Sequence, residues 1–354
     1  MRDVSIYGAG LSGLTAAINL ARQGYTVTVH EKEEQIGGSL HCQPSVHMTP
    51  IDLHKMHQYI GIDVEPCFTE LEEFKGHIYS KIVTFNTKHL YVVERGSRSS
   101  SIENYLYRLA IEHGVIFKFS SPLTAESLDI MPENSIIATG GYSNAFTLLK
   151  LRHVAYKHYD AHQKTNGKQI CLAFFDAYTK GYGYVSSKNN ILSVQVGFTM
   201  DSSESNLEKF KNHLKKTENI EFNKWNKVID NFARTTCLFT RLHKKTFILA
   251  GALSGFIDPI FGFGVNGAMV SGKIASKAFT SKKDAISDFK RFTHTLNKMY
   301  ILDRFYYYLP FKKFIIPKIF EIYNTSLPVV GPNMKSIPGF VHDDCFQIIA
   351  VKKK

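Results

Sequence analysis

One tryptophan, Trp225, serves the whole chain of 354 residues, and the five cysteines (Cys42, Cys67, Cys171, Cys237, Cys345) form no CxxC pair. That absence, together with the lack of HxH or HExxH spacing, removes the usual zinc signatures. His41, His47, His54 and His57 therefore read as surface or pocket histidines, and no metal is expected. No run of eighteen apolar residues exists. The best candidate, Phe247 to Val270, is broken by Asp258 and Pro259, so no membrane span is expected. Repeats and low-complexity tracts are also missing. An apolar strand begins at Val4, which leaves no room for a leader segment. Reduced thiols and a cytoplasmic location are expected. Acidic residues are the scarcer charge, 31 against 43 Lys and Arg, for a net charge of +12. That excess could serve nucleic acid, anionic lipid or an anionic ligand. No helix-turn-helix, RNA-binding or zinc-finger pattern accompanies it, so no nucleic-acid partner is expected.

What is present begins with VSIYGAGLSGLTAAINLARQGYTVTVHE, Val4 to Glu31. Val4 and Ile6 suit a buried strand. Gly8 makes a tight turn, Gly10 lets the backbone approach a pyrophosphate, and Gly13 lets helix and strand pack closely. The N–H groups of the first helical residues, Leu11, Ser12 and Gly13, then point at that pyrophosphate. Val27 and Val29 form a second strand that ends on Glu31, an acceptor for a ribose hydroxyl. The acid fits NAD and FAD alike, in preference to a 2′-phosphorylated dinucleotide. The loop from Lys32 to Gly38 can pass beneath the adenine-ribose half, or be an ordinary turn.

Ile78 to Val93 reads as two short strands parted near Asn86–Lys88. Ser101 caps a helix whose apolar face is Ile102, Leu106, Leu109 and Ala110, stopped by Gly114. Arg95 and Arg98 precede that helix and are candidate cofactor contacts, solvated loop charges being the alternative. Strands follow at Val115–Phe119 and at Ser135–Ala138, the second ending on Thr139, Gly140 and Gly141. From about Val154 the texture changes to antiparallel strands, Ile170–Phe175 and Ile191–Phe198, with a turn at Ser187–Asn190 and a lysine-rich helix at Leu207–Lys216.

A second glycine loop follows the strand Thr246–Ala250, and a helix of small residues starts at Val265. Two glycine turns more than two hundred residues apart suit a long dinucleotide, FAD rather than NAD. Here the chain resembles the geranylgeranyl reductase family of flavoproteins, built on the para-hydroxybenzoate hydroxylase fold. Gly255-Phe256-Ile257-Asp258-Pro259-Ile260-Phe261-Gly262-Phe263-Gly264-Val265 is similar to that family's glycine loop. Gly181-Tyr182-Gly183-Tyr184 resembles its Gly-Tyr-Gly-Trp element, and Ala138-Thr139-Gly140 its strand end beside the flavin. The resemblance covers about residues 2–280. It departs at Ala252, where the family has the Asp that holds the ribitol. Such a loss removes a charge-assisted hydrogen bond of about 1.5–3 kcal/mol.

The resemblance implies an α/β fold with an FAD-binding Rossmann-type domain, an inserted and mostly antiparallel substrate sheet, and a helical C-terminal region. The expected division is 1–150 and 241–280 for the cofactor domain, 151–240 for the sheet and 281–354 for the tail. Gly251, Pro259, Gly262, Gly264 and Val265 would hold the flavin half. The implied activity is hydride transfer through flavin N5 to a carbon–carbon double bond of an isoprenoid or other hydrophobic substrate, or the reverse. NADPH, NADH or a protein electron carrier would be the transient reductant. Tyr182 and Tyr184 are candidate proton donors or cavity walls, with core packing as the alternative. Cys42 is a candidate acid or an inert thiol. A flavin monooxygenase on an aromatic substrate, and a binding protein that keeps the fold with weakened FAD affinity, stay open. The basic amphipathic segment around Phe311–Phe320 suits peripheral contact with an anionic membrane, or packing on the main body.

Overall fold

The computed structural model describes residues 2–40, 43–79, 81–141, 144–175, 183–198, 204–258, 262–308, 337–341 and 347–353. Cys42, Tyr182 and Pro259 lie outside them, as do Gly181, Ile260, Phe261 and the basic segment from 309 to 336.

The chain runs β1 (Asp3–Tyr7), α1 (Leu11–Ala21), β2 (Thr26–His30), β3 (Ser45–Pro50), α2 (Leu53–Ile60), β4 (Phe68–Glu70), β5 (Glu73–Ile78), β6 (Lys81–Phe85), β7 (Leu90–Arg95) and α3 (Ile102–Glu112). It continues through β8 (Ile116–Lys118), α4 (Ala125–Ile130), β9 (Ile136–Ile137), α5 (Ala145–Leu148), β10 (His153–Lys164), β11 (Ile170–Phe175), β12 (Gly183–Lys188), β13 (Ile191–Phe198) and α6 (Glu204–Glu218). Then come β14 (Asn226–Ala233), β15 (Phe239–Leu242), β16 (Lys245–Leu249), α7 (Val265–Thr280), α8 (Lys282–Tyr308) and β17 (Ile348–Lys353).

Among the described residues the strands form three sheets. The first has the order β15-β16-β9-β1-β2-β8 and is parallel except for the β15–β16 pair. A strand buried on both faces reads as apolar, and Ile6, Val29, Ile136 and Leu249 are each fully buried. α1 and α7 pack side by side on this sheet. They approach so closely that a Cβ on Gly272 would sit 2.3 Å from the Ser12 carbonyl oxygen. Ser101 caps α3 by accepting from the Asn104 N–H at 3.2 Å.

The second sheet, β14-β10-β13-β12-β11-β5-β6-β17, is antiparallel except for the β11–β5 pair. Its β12–β13 hairpin turns on Asn189 and Asn190, both in the left-handed region (φ 51° and 60°), which Asn tolerates better than most residues. α6 covers one face with Leu207, Phe210 and Leu214. Burying such side chains stabilises by about 1.5–3 kcal/mol each. The third sheet, β3-β7-β4, lies between the other two and leaves β3 at its edge.

The expected boundaries do not follow the sheets. β5 and β6 join the eight-stranded sheet from within 1–150, and β17 joins it from the tail, so that sheet is not confined to 151–240 and the tail is not purely helical. The strands on either side of Asn86–Lys88 go to different sheets: β6 pairs with β5 in one, β7 with β3 and β4 in another. Apolar alternation fixes which residues are buried but not which strand is the partner.

Candidate active site

The first glycine turn is shaped by the protein's own backbone. Gly8 takes φ 104°, and a Cβ there would meet Ala138 O at 2.5 Å; one on Gly13 would meet Gly8 O at 1.9 Å. Gly10 differs. Its missing Cβ faces open space, and α1 starts from it with no side-chain cap. An uncapped helix start beside empty space is a cradle for an anion. Glu31 is 6% exposed, and its carboxylate accepts from the Ala9 N–H at 2.8 Å and the Glu33 N–H at 3.1 Å. The acid at the end of β2 therefore braces the turn after β1, and its oxygens keep further acceptor capacity.

The remaining sequence candidates at this end divide. Gly140, at the end of β9, has φ 70° and nothing where its Cβ would be, with Thr139 just before it. Gly38 is tied through its carbonyl to Gln43 at 2.7 Å. Lys32 pairs with Glu33 at 2.9 Å on the surface. Arg95 is bound by the buried Glu103, and Arg98 lies 3.4 Å from the fully buried Glu94. Both arginines thus face carboxylates of the protein, whose buried charge needs them. Sequence spacing could not show those partners.

At the second turn, the Gly251 N–H donates to Ser271 Oγ at 2.8 Å and Gly251 takes φ 67°. Gly262 has φ 69° with open space beside it, and its N–H donates to the Asp258 carbonyl at 3.0 Å. α7 then starts at Val265 from Gly264, again without a side-chain cap. Ala252 is half-buried here and offers no acceptor side chain.

Gly262, Phe263, Gly264 and Val265 form one wall of a cleft of about 280 Å³, part of it open to solvent. The cleft is also lined by His47, Met48 and Thr49 of β3 and by Tyr184 of β12. Tyr184 Oη lies 2.8 Å from His47 Nδ1 and donates to Gln195 Oε1 at 2.7 Å; His47 Nε2 lies 3.2 Å from Ser45 Oγ. Burial, then the charges of Arg95 and His158, push the His47 imidazole down to about 3, so the ring is neutral near neutral pH. The edge strand β3 is pinned to the sheet beneath it by Ser186 Oγ, which donates to Val46 O at 2.7 Å.

The structure thus brings Tyr184 to Gly262, Gly264 and Val265. His47, one of the four histidines that read as surface or pocket residues, lines the cleft; Gln195 and Ser45 were not singled out from the sequence. A signal existed for two of the three: Ser45, His47 and Thr49 alternate with apolar Val46 and Met48, the period of a strand with one polar side. Among the described residues no group of three His, Cys, Asp or Glu side chains is placed to hold a metal. None of the described helices is long and apolar enough to cross a membrane.

A family described as an NAD(P)-binding Rossmann-like domain matches residues 6–71. The chain is 49% identical over 45 residues to flavin-containing monooxygenase FMO GS-OX-like 6 of Arabidopsis thaliana, 13% of this chain and 10% of that one. It is 34% identical over 83 residues to the 1-hydroxycarotenoid 3,4-desaturase of a Flavobacterium, 21% of this chain and 17% of that one. The chain thus matches less than a fifth of either curated relative. In structure it is similar to a geranylgeranyl bacteriochlorophyll reductase-like protein of Thermoplasma acidophilum, with a TM-score of 0.69, 14% identity and 95% of each chain covered. At that identity the likeness is one of fold, and it spans the tail that the motifs left unmatched.

Proposed function

We propose that this chain is an FAD-dependent oxidoreductase acting on a carbon–carbon double bond of an isoprenoid or other hydrophobic substrate, by reduction or the reverse. The observation that carries the reading is the cleft itself. Tyr184, from the antiparallel sheet, faces the Gly262–Val265 turn, while the anion cradle of Gly10 lies at the other glycine turn of the same domain.

The donor set fits the cofactor. Gly8, Gly10, Leu11, Ser12 and Gly13 would hold the pyrophosphate with backbone N–H groups, and Glu31 the adenine ribose. Thr139, Gly140, Gly251, Gly262, Gly264 and Val265 would border the flavin half. Bound FAD supplies hydride transfer; the protein supplies position and electrostatics. The uncapped start of α7 places helix N–H groups where negative charge is stabilised. Met48, Phe263 and Val265 give the cleft an apolar part of its lining. Tyr184 brings a phenolic hydroxyl to the cleft, a group that can give up a proton. NADPH, NADH or a protein carrier would dock transiently as reductant. The basic composition of the sequence from 309 to 336 suits a substrate held at an anionic membrane surface.

A second reading, a flavin monooxygenase on an aromatic substrate, draws support from the hydrogen-bonding set His47, Tyr184 and Gln195. One experiment separates the two. The purified chain, loaded with FAD, is reduced with NADPH or dithionite with and without oxygen. Anaerobic reoxidation by an isoprenoid supports the first reading. Substrate-stimulated oxygen uptake supports the second. A protein that cannot be loaded contradicts both.

A further inference from the structure

Over β10, β12 and β13 the eight-stranded sheet carries an apolar row on one face and a polar row on the other, beside the buried apolar cluster of Phe74, Phe85, Cys171 and Ile191. Under α6 lie Leu172, Phe174, Val185, Val194 and Val196, buried together. On the other face the cross-strand register sets Tyr184 beside Gln195, and Gln195 beside Asp160. Two residues further along, Ser186 stands beside Ser193. Because side chains alternate with period two, the backbone fixes this division and no rotamer is needed to explain it.

At the cleft this polar row meets β3. Tyr184 Oη has one hydrogen and lies within bonding distance of both His47 Nδ1 and Gln195 Oε1; since Oε1 only accepts, Tyr184 donates to it and can accept from His47. A neutral imidazole carries one N–H and one acceptor nitrogen. The network therefore assigns a chain in which Ser45 donates to His47 Nε2, His47 Nδ1–H donates to Tyr184, and Tyr184 donates to Gln195. The charges that face His47 are Arg95, paired with Glu103, and His158, 3.5 Å from Asp160; both disfavour a second proton on the ring. A ligand oxygen can exchange into this chain. A hydrocarbon cannot, and it leaves the polar groups at its side without a bond to it.

Resting on the reading of this cleft as the reacting end, the geometry points to a substrate that carries a carbonyl or hydroxyl oxygen where it reaches Tyr184, with His47 as the residue that positions Tyr184. Its apolar remainder lies along Met48, Phe263 and Val265.

The test is equilibrium dialysis of the full chain against geraniol and against myrcene, isoprenoids of equal carbon count of which one bears a hydroxyl. The expected result is retention of geraniol about tenfold above myrcene. Tyr184→Phe should bring that ratio close to one. His47→Ala should lower it severalfold, and His47→Asn, which keeps a donor and an acceptor, should restore part of it. Equal retention of the two probes, no retention of either, or a ratio unchanged in Tyr184→Phe overturns the inference. Flavin content is read on the same samples. Protein that prefers geraniol yet holds no flavin contradicts the proposed redox function and leaves the oxygen-binding site standing.

Discussion

The two glycine turns of the cofactor domain contain two kinds of glycine, and the difference between them separates folding from binding. At the first turn, Gly8 and Gly13 lack side chains because protein atoms already occupy the space, as close as 1.9 Å from where a Cβ would lie. At the second, Gly262 adjoins open space, and a Cβ on Gly264 would come no nearer than an ordinary 3.5 Å contact with Ile257. A glycine whose Cβ would strike backbone serves the fold. One that faces empty space at an uncapped helix start serves whatever occupies that space. Each turn holds both kinds, since Gly10 is open and a Cβ on Gly267 would meet Phe256 O at 2.3 Å.

The sharpest way to break this comparison is to place the same methyl group at both kinds of position. Gly13→Ala should destabilise the chain by about 3 kcal/mol or more, because the Gly8 carbonyl cannot move without shifting β1. Gly10→Ala should leave the midpoint of thermal unfolding within about 0.5 kcal/mol of wild type and lower FAD retention. Equal effects of the two on stability would refute the distinction.

A smaller change sharpens the contrast at the other end. Ala252→Asp should supply the acceptor that the second turn lacks and tighten FAD by about tenfold, the scale of one charge-assisted hydrogen bond. Unchanged affinity would show that the flavin half is held without that position.

A further prediction concerns pH. Unfolded, His47 takes up its proton near 6.5; folded, only near 3. Between those values the unfolded chain binds more protons, so the contribution of His47 is complete above pH 6.5 and is lost as pH falls toward 3. Thermal unfolding of wild type minus that of His47→Asn should therefore narrow as the buffer is acidified. A difference that stays constant contradicts the neutral imidazole.

The first turn was legible because its causes are local: β1, three glycines, α1 and Glu31 lie within thirty-one residues, and each follows from a backbone requirement. The fold of the inserted sheet was legible as a change of texture, and Asn189–Asn190 as a hairpin turn. The cleft was not. Its walls come from β3, β12 and the loop before α7, and Tyr184 joins His47 across 137 residues. Alternation within a strand tells which side chains share a face; it carries no information on which strand lies opposite. For the same reason β6 and β7, neighbours in sequence, went to different sheets, and Arg95 and Arg98 found carboxylates that no local spacing announced.

The most direct test of the central claim is the visible spectrum of the purified chain after dialysis against FAD and removal of free cofactor. The account predicts a retained flavin whose absorption is perturbed relative to free FAD and bleaches on anaerobic addition of NADPH or dithionite. A protein that stays colourless, with thermal unfolding unmoved by FAD, would contradict it.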